Sequence, residues 1–229
     1  MASNSLSFSK AVQELSWVRP PLQQRSQQTM ERLLLSAETL INDVGFEKAT
    51  VSGIVKGAKS SVGAFYTRFE DKDALLRCLL ARFVSEAMAT IEHVASPELW
   101  RDTSIREFMI RLFQFSMREL EKRRKLLLAI AQLTSEEPTL AEFREKITEC
   151  CAREILGLIE SKGAVVTCAD PVRALQVVTW MSMSVAEASA AVGSPYCGEE
   201  KRTQLAEDLS DMVLAYLAIS ETGRERKSA

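Results

Sequence analysis

From Ser26 to Val44 the apolar residues return at steps of three and four. Met30, Leu33, Leu34, Ala37, Leu40, Ile41 and Val44 fall on one face of a helix, and Gly45 follows as its stop. Before this helix, residues 1–23 are polar and irregular, close on Arg19, Pro20 and Pro21, and read as a mobile arm. After it the elements shorten. Thr50 is a candidate N-cap for a helix of about seven residues with Val51, Ile54 and Val55 turned inward, broken by Gly57, Ala58 and Lys59. Ser61 opens a second short helix through Phe65 and Tyr66 toward Phe69, with both phenylalanines expected in the core. Asp71 caps a third that runs through Leu75, Leu76, Leu79, Leu80 and Phe83 toward Val94.

Beyond Pro97 the periods lengthen. One helix is marked by Ile105, Phe108, Met109, Leu112, Phe113 and Leu120, another by Leu126 to Leu133, and a third by Leu140, Phe143, Ile147, Cys150, Cys151, Leu158 and Ile159, ended by Gly163. Two more span Pro171 to Val192 and about Glu199 to Ser220. Strands find little support in this pattern, so the fold class is all-α.

Composition narrows the function. Hydrophobic residues make 46% of the 229 positions and charged residues 26%, an ordinary globular balance that argues against disorder. Net charge is −2, yet residues 1–72 hold nine Lys and Arg against seven Asp and Glu, while the rest hold twenty against twenty-four. That asymmetry is too weak to imply nucleic acid by itself. No stretch reaches the eighteen or so apolar residues of a membrane span, and the start has no long apolar segment of a secretory leader, so the expectation is a soluble cytoplasmic protein. The five cysteines have no CxxC pair and His93 is the single histidine, so no metal site and no cofactor are expected. Cys150 and Cys151 admit a redox role, but their place in an apolar helical pattern favours packing.

Helices as short as the pair after Gly45 are unstable alone and must be held by longer neighbours. A compact three-helix unit of this kind invites a helix-turn-helix reading, with Ser61 to Arg68 entering the major groove. The segment from Thr50 to Leu76, TVSGIVKGAKSSVGAFYTRFEDKDALL, resembles the DNA-binding region of the TetR family of transcriptional regulators. The family's Thr-Val entry is matched by Thr50 and Val51, its isoleucine by Ile54 and its turn alanine by Ala58. Its Ser-x-Gly-x-x-Tyr-x-x-Phe run is matched by Ser61, Gly63, Tyr66 and Phe69, and its following lysine by Lys72. Around the turn the chain departs from the family, with Val55, Lys59 and Ser60 where Ala, Gly and Val are usual. A non-glycine in a left-handed position there costs roughly 1–2 kcal/mol.

The chemistry assigns DNA-binding candidates. The hydroxyls of Thr50 and Ser61 suit phosphate oxygens; Gly63 permits close approach; Val62 and Ala64 offer methyl contact to thymine. Tyr66 can lie on the sugar-phosphate wall, and Thr67 and Arg68 are placed for base edges or phosphate. Lys72 sits in a first helical turn, where its charge opposes the macrodipole and a bound phosphate would offset the cost. Thr50 and Ser61 could equally be caps alone, and Lys72 merely solvated.

The chain is therefore expected to divide into a flexible arm (1–23), a helix-turn-helix DNA-binding domain (24–72) and a helical regulatory domain (73–229). The resemblance implies a repressor that forms a homodimer through its last two helices, binds a pseudo-palindromic double-stranded operator and is released by a small-molecule effector. Leu205, Leu209, Met212, Val213 and Tyr216 are the expected dimer-helix residues. Trp100, Phe108, Met109, Phe113, Met117, Phe143, Trp180 and Met183 could line a pocket for an apolar or aromatic effector, or be plain core. An enzyme is disfavoured because no Ser/His/Asp set, carboxylate-histidine cluster or phosphate loop is present. A helical ligand-binding protein without DNA binding is the remaining alternative.

Overall fold

The computed structural model describes residues 24–192 and 198–221; the arm read at 1–23 lies outside them. Nearly all of the described chain is helical, in the order α1 (Gln24–Val44), α2 (Val51–Gly57), α3 (Val62–Tyr66), α4 (Lys72–Val94), α5 (Ile105–Lys122), α6 (Arg124–Glu136), α7 (Ala141–Ser161), α8 (Pro171–Val192) and α9 (Glu199–Leu217). Short 3-10 turns at Pro97–Trp100 and Pro138–Leu140 precede α5 and α7. The expected all-α class holds.

A small exception is a two-stranded antiparallel ribbon. β1 (Ala164–Val166) pairs with β2 (Ile219–Glu221) in the register Ala164↔Glu221, Val165↔Ser220 and Val166↔Ile219. Three-residue strands carry too little alternation to be seen in a sequence. Helix α9 ends on Ala218 in a left-handed conformation (φ 49), and the Thr167 hydroxyl donates to the Ala218 carbonyl at 2.9 Å.

Two compact units emerge, one from Met1–Ala87 with Lys122–Phe143 and the other from Met88–Glu121 with Arg144–Ala229. Helix α4 begins in the first unit, and α6 belongs to it as well. In that first unit α1 packs against both α2 and α6. The end of α1 is tied directly to the start of α6. Asn42 accepts from the Leu126 amide at 3.2 Å, and the Lys125 ammonium donates to the Asp43 carbonyl. Arg123 adds ion pairs to Glu38 at 3.2 Å and to Glu86 at 2.9 Å. These partners are more than eighty residues apart in sequence for the two hydrogen bonds, so periodicity could not have placed α6.

The second unit holds an apolar core. Phe108, Met109, Ile155, Leu158, Ile159, Leu175, Val213 and Leu217 are among its buried members. Lys162, just past α7, donates to the carbonyls of Trp100 and Thr103, satisfying the 3-10 turn.

Candidate nucleic-acid interface

The three caps read from the sequence are present. The Thr50 hydroxyl accepts from the Gly53 amide and the Ser61 hydroxyl from the Ala64 amide, both at 3.1 Å; the Asp71 carboxylate accepts from the Ala74 amide at 2.7 Å. Each such cap contributes about 1 kcal/mol, which matters for a five-residue helix that cannot stand alone. The rest of the support for α3 comes from Phe65 and Phe69, both fully buried as expected, with ring centroids 5.2 Å apart.

Two glycines set how closely α2 lies on α1. A Cβ on Gly57 would stand 2.3 Å from the Ser36 hydroxyl oxygen, and one on Gly53 would stand 2.9 Å from a methyl of Leu40. The Ser36 hydroxyl uses that proximity to donate to the Ile54 carbonyl at 2.8 Å. Spaced four apart, the glycines put one bare stripe of α2 against α1. Neither was singled out as a packing residue from the sequence, although the Gly-x-x-x-Gly spacing was a usable signal.

The turn between α2 and α3 closes with the Lys59 amide donating to the Lys56 carbonyl at 3.2 Å and the Ser60 amide to the Val55 carbonyl at 2.8 Å. Lys59 holds φ 49, the left-handed conformation normally left to glycine.

On the outer face of α3, Val62 is 47% exposed and Tyr66 53%. A Cβ on Gly63 would meet only the Ser61 oxygen, at 3.9 Å, so no internal contact requires a glycine there. Ser61 and Thr50 are exposed, and each hydroxyl accepts within its cap while keeping its own O–H proton to donate. Thr67 is exposed, but its hydroxyl proton goes to the Gly63 carbonyl at 2.7 Å, leaving a methyl and acceptor lone pairs outward. Ala64 is half-buried.

Arg68 and Lys72 sit differently from the expectation of outward-facing cations. The Arg68 guanidinium donates to the Ala64 carbonyl at 2.7 Å and to the Ser26 hydroxyl at 3.0 Å, binding the end of α3 to the start of α1. Burial, with the charge of Arg32 behind it, lowers its pKa. Both amino groups of its fork are thus engaged within the unit. Lys72 donates to the Phe46 carbonyl at 2.8 Å, its nitrogen 4.4 Å from the Phe46 ring centroid. It is neither merely solvated nor fully presented, although two of its three donors remain for another acceptor.

Of the eight candidate pocket residues, five lie in or against the second unit's core. Phe108, Met109 and Phe113 are buried in the second unit's core, with Trp100 and Met117 packed on it. Phe143 belongs to the first unit, and Trp180 is exposed. Trp100 also has internal partners, donating to the Val94 carbonyl at 2.5 Å and meeting Phe108 edge-on at 4.9 Å. Among the expected dimer-helix residues, Val213 is 3% exposed and part of the core, whereas Met212 and Tyr216 are 60% and 56% exposed. Residues three and four apart share a face, so Met212 and Tyr216 face outward together and Val213 does not.

Cys78 and Cys150 are buried, and Cys78, Cys150, Cys151 and Cys168 are all free thiols. Burial pushes the thiols of Cys78 and Cys151 up to about 12 and raises that of Cys150. That disfavours the reactive thiolate. Cys197 lies outside the described residues. Among the described residues no group of His, Cys, Asp and Glu could hold a metal ion, and no helix is long and apolar enough to cross a membrane.

Residues 33–79 match the family model of bacterial regulatory proteins of the tetR family, a span that contains α2, α3 and the turn between them. None of the curated proteins matches the chain in sequence. Solved structures share its fold. A TetR-family transcriptional regulator from Mesorhizobium loti MAFF303099 superposes with TM-score 0.69 at 20% identity, covering 86% of this chain and 100% of that one. Salmonella enterica GusR gives 0.60 at 17%, covering 86% and 98%. The TetR-family repressor FadR of Thermus thermophilus, in complex with lauroyl-CoA, gives 0.59 at 22%, covering 87% and 98%.

Proposed function

We propose that this chain, which carries the DNA-binding domain of the TetR family and the fold of its regulators, is a cytoplasmic transcriptional repressor without enzymatic activity. It grips DNA as a homodimer. Helix α3 enters the major groove, where Val62, Gly63, Ala64 and Thr67 meet base edges and methyl groups, while Thr50, Ser61, Tyr66 and Lys72 take phosphates. The observation that carries this reading is the outward face of α3: an apolar and aromatic surface exposed on a helix whose other side is fully committed to the core, interrupted by a glycine that nothing inside requires.

The second subunit joins through α8 and α9, where Val172, Val177, Trp180, Met181 and Val185 of one helix and Met212 and Tyr216 of the other are exposed. A monomer leaving such a surface in water is unfavourable. Release follows binding of a small apolar or aromatic effector in the second unit, which acts only by favouring one of two conformations.

Selection from a random-sequence duplex library with the purified chain tests this. The expected product is a pseudo-palindrome whose half-sites lie about one helical turn apart or slightly more, roughly 34–36 Å. Failure to enrich any duplex would leave a helical ligand-binding protein as the better reading.

A further inference from the structure

We propose that Lys59, with Lys56 beside it, is a phosphate contact built into the turn of the helix-turn-helix; the proposal rests on the DNA-binding reading above. Three observations converge on it. Lys59 occupies a left-handed backbone position, φ 49, which lysine adopts only with strain. Its side chain gains nothing internal in return. Lys59 and Lys56 are both exposed, and among the described residues neither has an acidic partner or a hydrogen-bond acceptor for its ammonium. Strain retained without a local contact to justify it clusters at functional positions.

Placement supplies the function. Lys59 lies two residues before the cap Ser61, so their Cα atoms are within about 7 Å of each other. A lysine side chain extends about as far again, bringing its ammonium within reach of the duplex that α3 would enter. The Lys59 amide bonds the Lys56 carbonyl at 3.2 Å, which brings the two lysines together on one turn. The pair forms a point of positive charge beside the helix that reads sequence, with no Asp or Glu between residues 48 and 69 to weaken it. Lys72, the lysine placed there by motif, already donates to the Phe46 carbonyl. Glycine would serve the backbone better at position 59, and lysine serves a polyanion better.

The test separates those two roles in one residue. Lys59→Gly removes both strain and charge, so the expected result is a higher Tm together with weaker binding to a duplex enriched by the wild-type chain. The loss should be nearly equal for matched and mismatched duplexes, and the slope of log K against log salt should fall by about 0.9 per protomer. Lys59→Arg should keep the slope, and Lys56→Ala should lower it in the same sense as Lys59→Gly. A Lys59→Gly protein of higher Tm with the wild-type salt slope overturns the proposal and leaves the DNA-binding reading intact. If the wild-type chain enriches no duplex, that reading fails and the proposal falls with it.

Discussion

The guanidinium of Arg68 donates to the hydroxyl of Ser26 across 42 positions of sequence, at 3.0 Å, while its other amino group donates to the Ala64 carbonyl. The end of α3 is thereby tied to the beginning of α1. Arg68→Ala should lower unfolding stability by about 1–2 kcal/mol, since hydrogen bonds to a charged donor are lost at a partly buried site. It should weaken all duplexes alike by loosening α3. A variant of undiminished stability whose preference changes at one symmetric pair of base pairs would instead assign Arg68 to base reading.

Gly63 and Gly57 should respond oppositely to alanine. At Gly63 an added methyl meets only the Ser61 oxygen, at an ordinary contact distance of 3.9 Å, so Gly63→Ala should raise stability by about 0.5–1 kcal/mol through helix propensity while weakening DNA binding. At Gly57 the methyl would lie 2.3 Å from the Ser36 oxygen, and Gly57→Ala should cost about 1–3 kcal/mol by forcing α2 off α1. Denaturant titrations beside binding isotherms decide both; equal signs in stability would contradict the packing described.

Lys72→Ala should reduce the salt slope of binding by about one unit per half-site and leave sequence preference unchanged. It also removes the bond to the Phe46 carbonyl, so a small loss of Tm is expected. A titration of the variant against a site library at two salt concentrations is the measurement. Altered preference with an intact slope would show that Lys72 does not act on phosphate.

The proposed dimer face can be separated from the core by adjacent residues. Met212→Glu and Tyr216→Glu should yield folded monomers in sedimentation, because each places charge on the proposed interface at a side chain exposed in the single chain. Val213→Glu should unfold the second unit instead. Unchanged dimer mass in the first two variants would move the interface elsewhere.

Two of the thiols give a signed pH dependence. Cys78 and Cys151 remain protonated in the folded chain up to about 12, whereas the unperturbed value is 9.0. Between those values the unfolded chain binds fewer protons than the folded one, so stability is fully present below pH 9 and falls as pH rises through this window. Urea unfolding of the wild type and of Cys78→Ala on either side of about pH 9 should show a smaller decline in the variant. Alkylation of the native protein at neutral pH should spare both residues. Rapid labelling of Cys151 there would revive a redox role.

Local features were legible in the sequence, and distant ones were not. Thr50, Ser61 and Asp71 announced themselves because a cap needs only a short polar side chain three residues before the amide it binds. Phe65 and Phe69 followed from the same local register. The inward turn of Arg68 depends on Ser26, and the place of α6 depends on Asn42 and Asp43, neither of which leaves a periodic trace. Val213 was misplaced for a different reason. Met212, Val213 and Tyr216 are all apolar, so hydrophobicity alone could not say which of them faced the core.

The ties from Asn42 and Asp43 to the start of α6 also bear on how the chain is made. A ribosome releases α1, α2 and α3 long before it releases Leu126 and Leu133, which are buried in the same unit. Until then the nascent DNA-binding helices lack one wall of their core and expose apolar surface to chaperones and proteases. A fragment cut at residue 72 would remain in that unfinished condition permanently. The smallest piece expected to fold as the first unit must therefore reach Phe143, with the intervening α5 either retained or replaced by a linker.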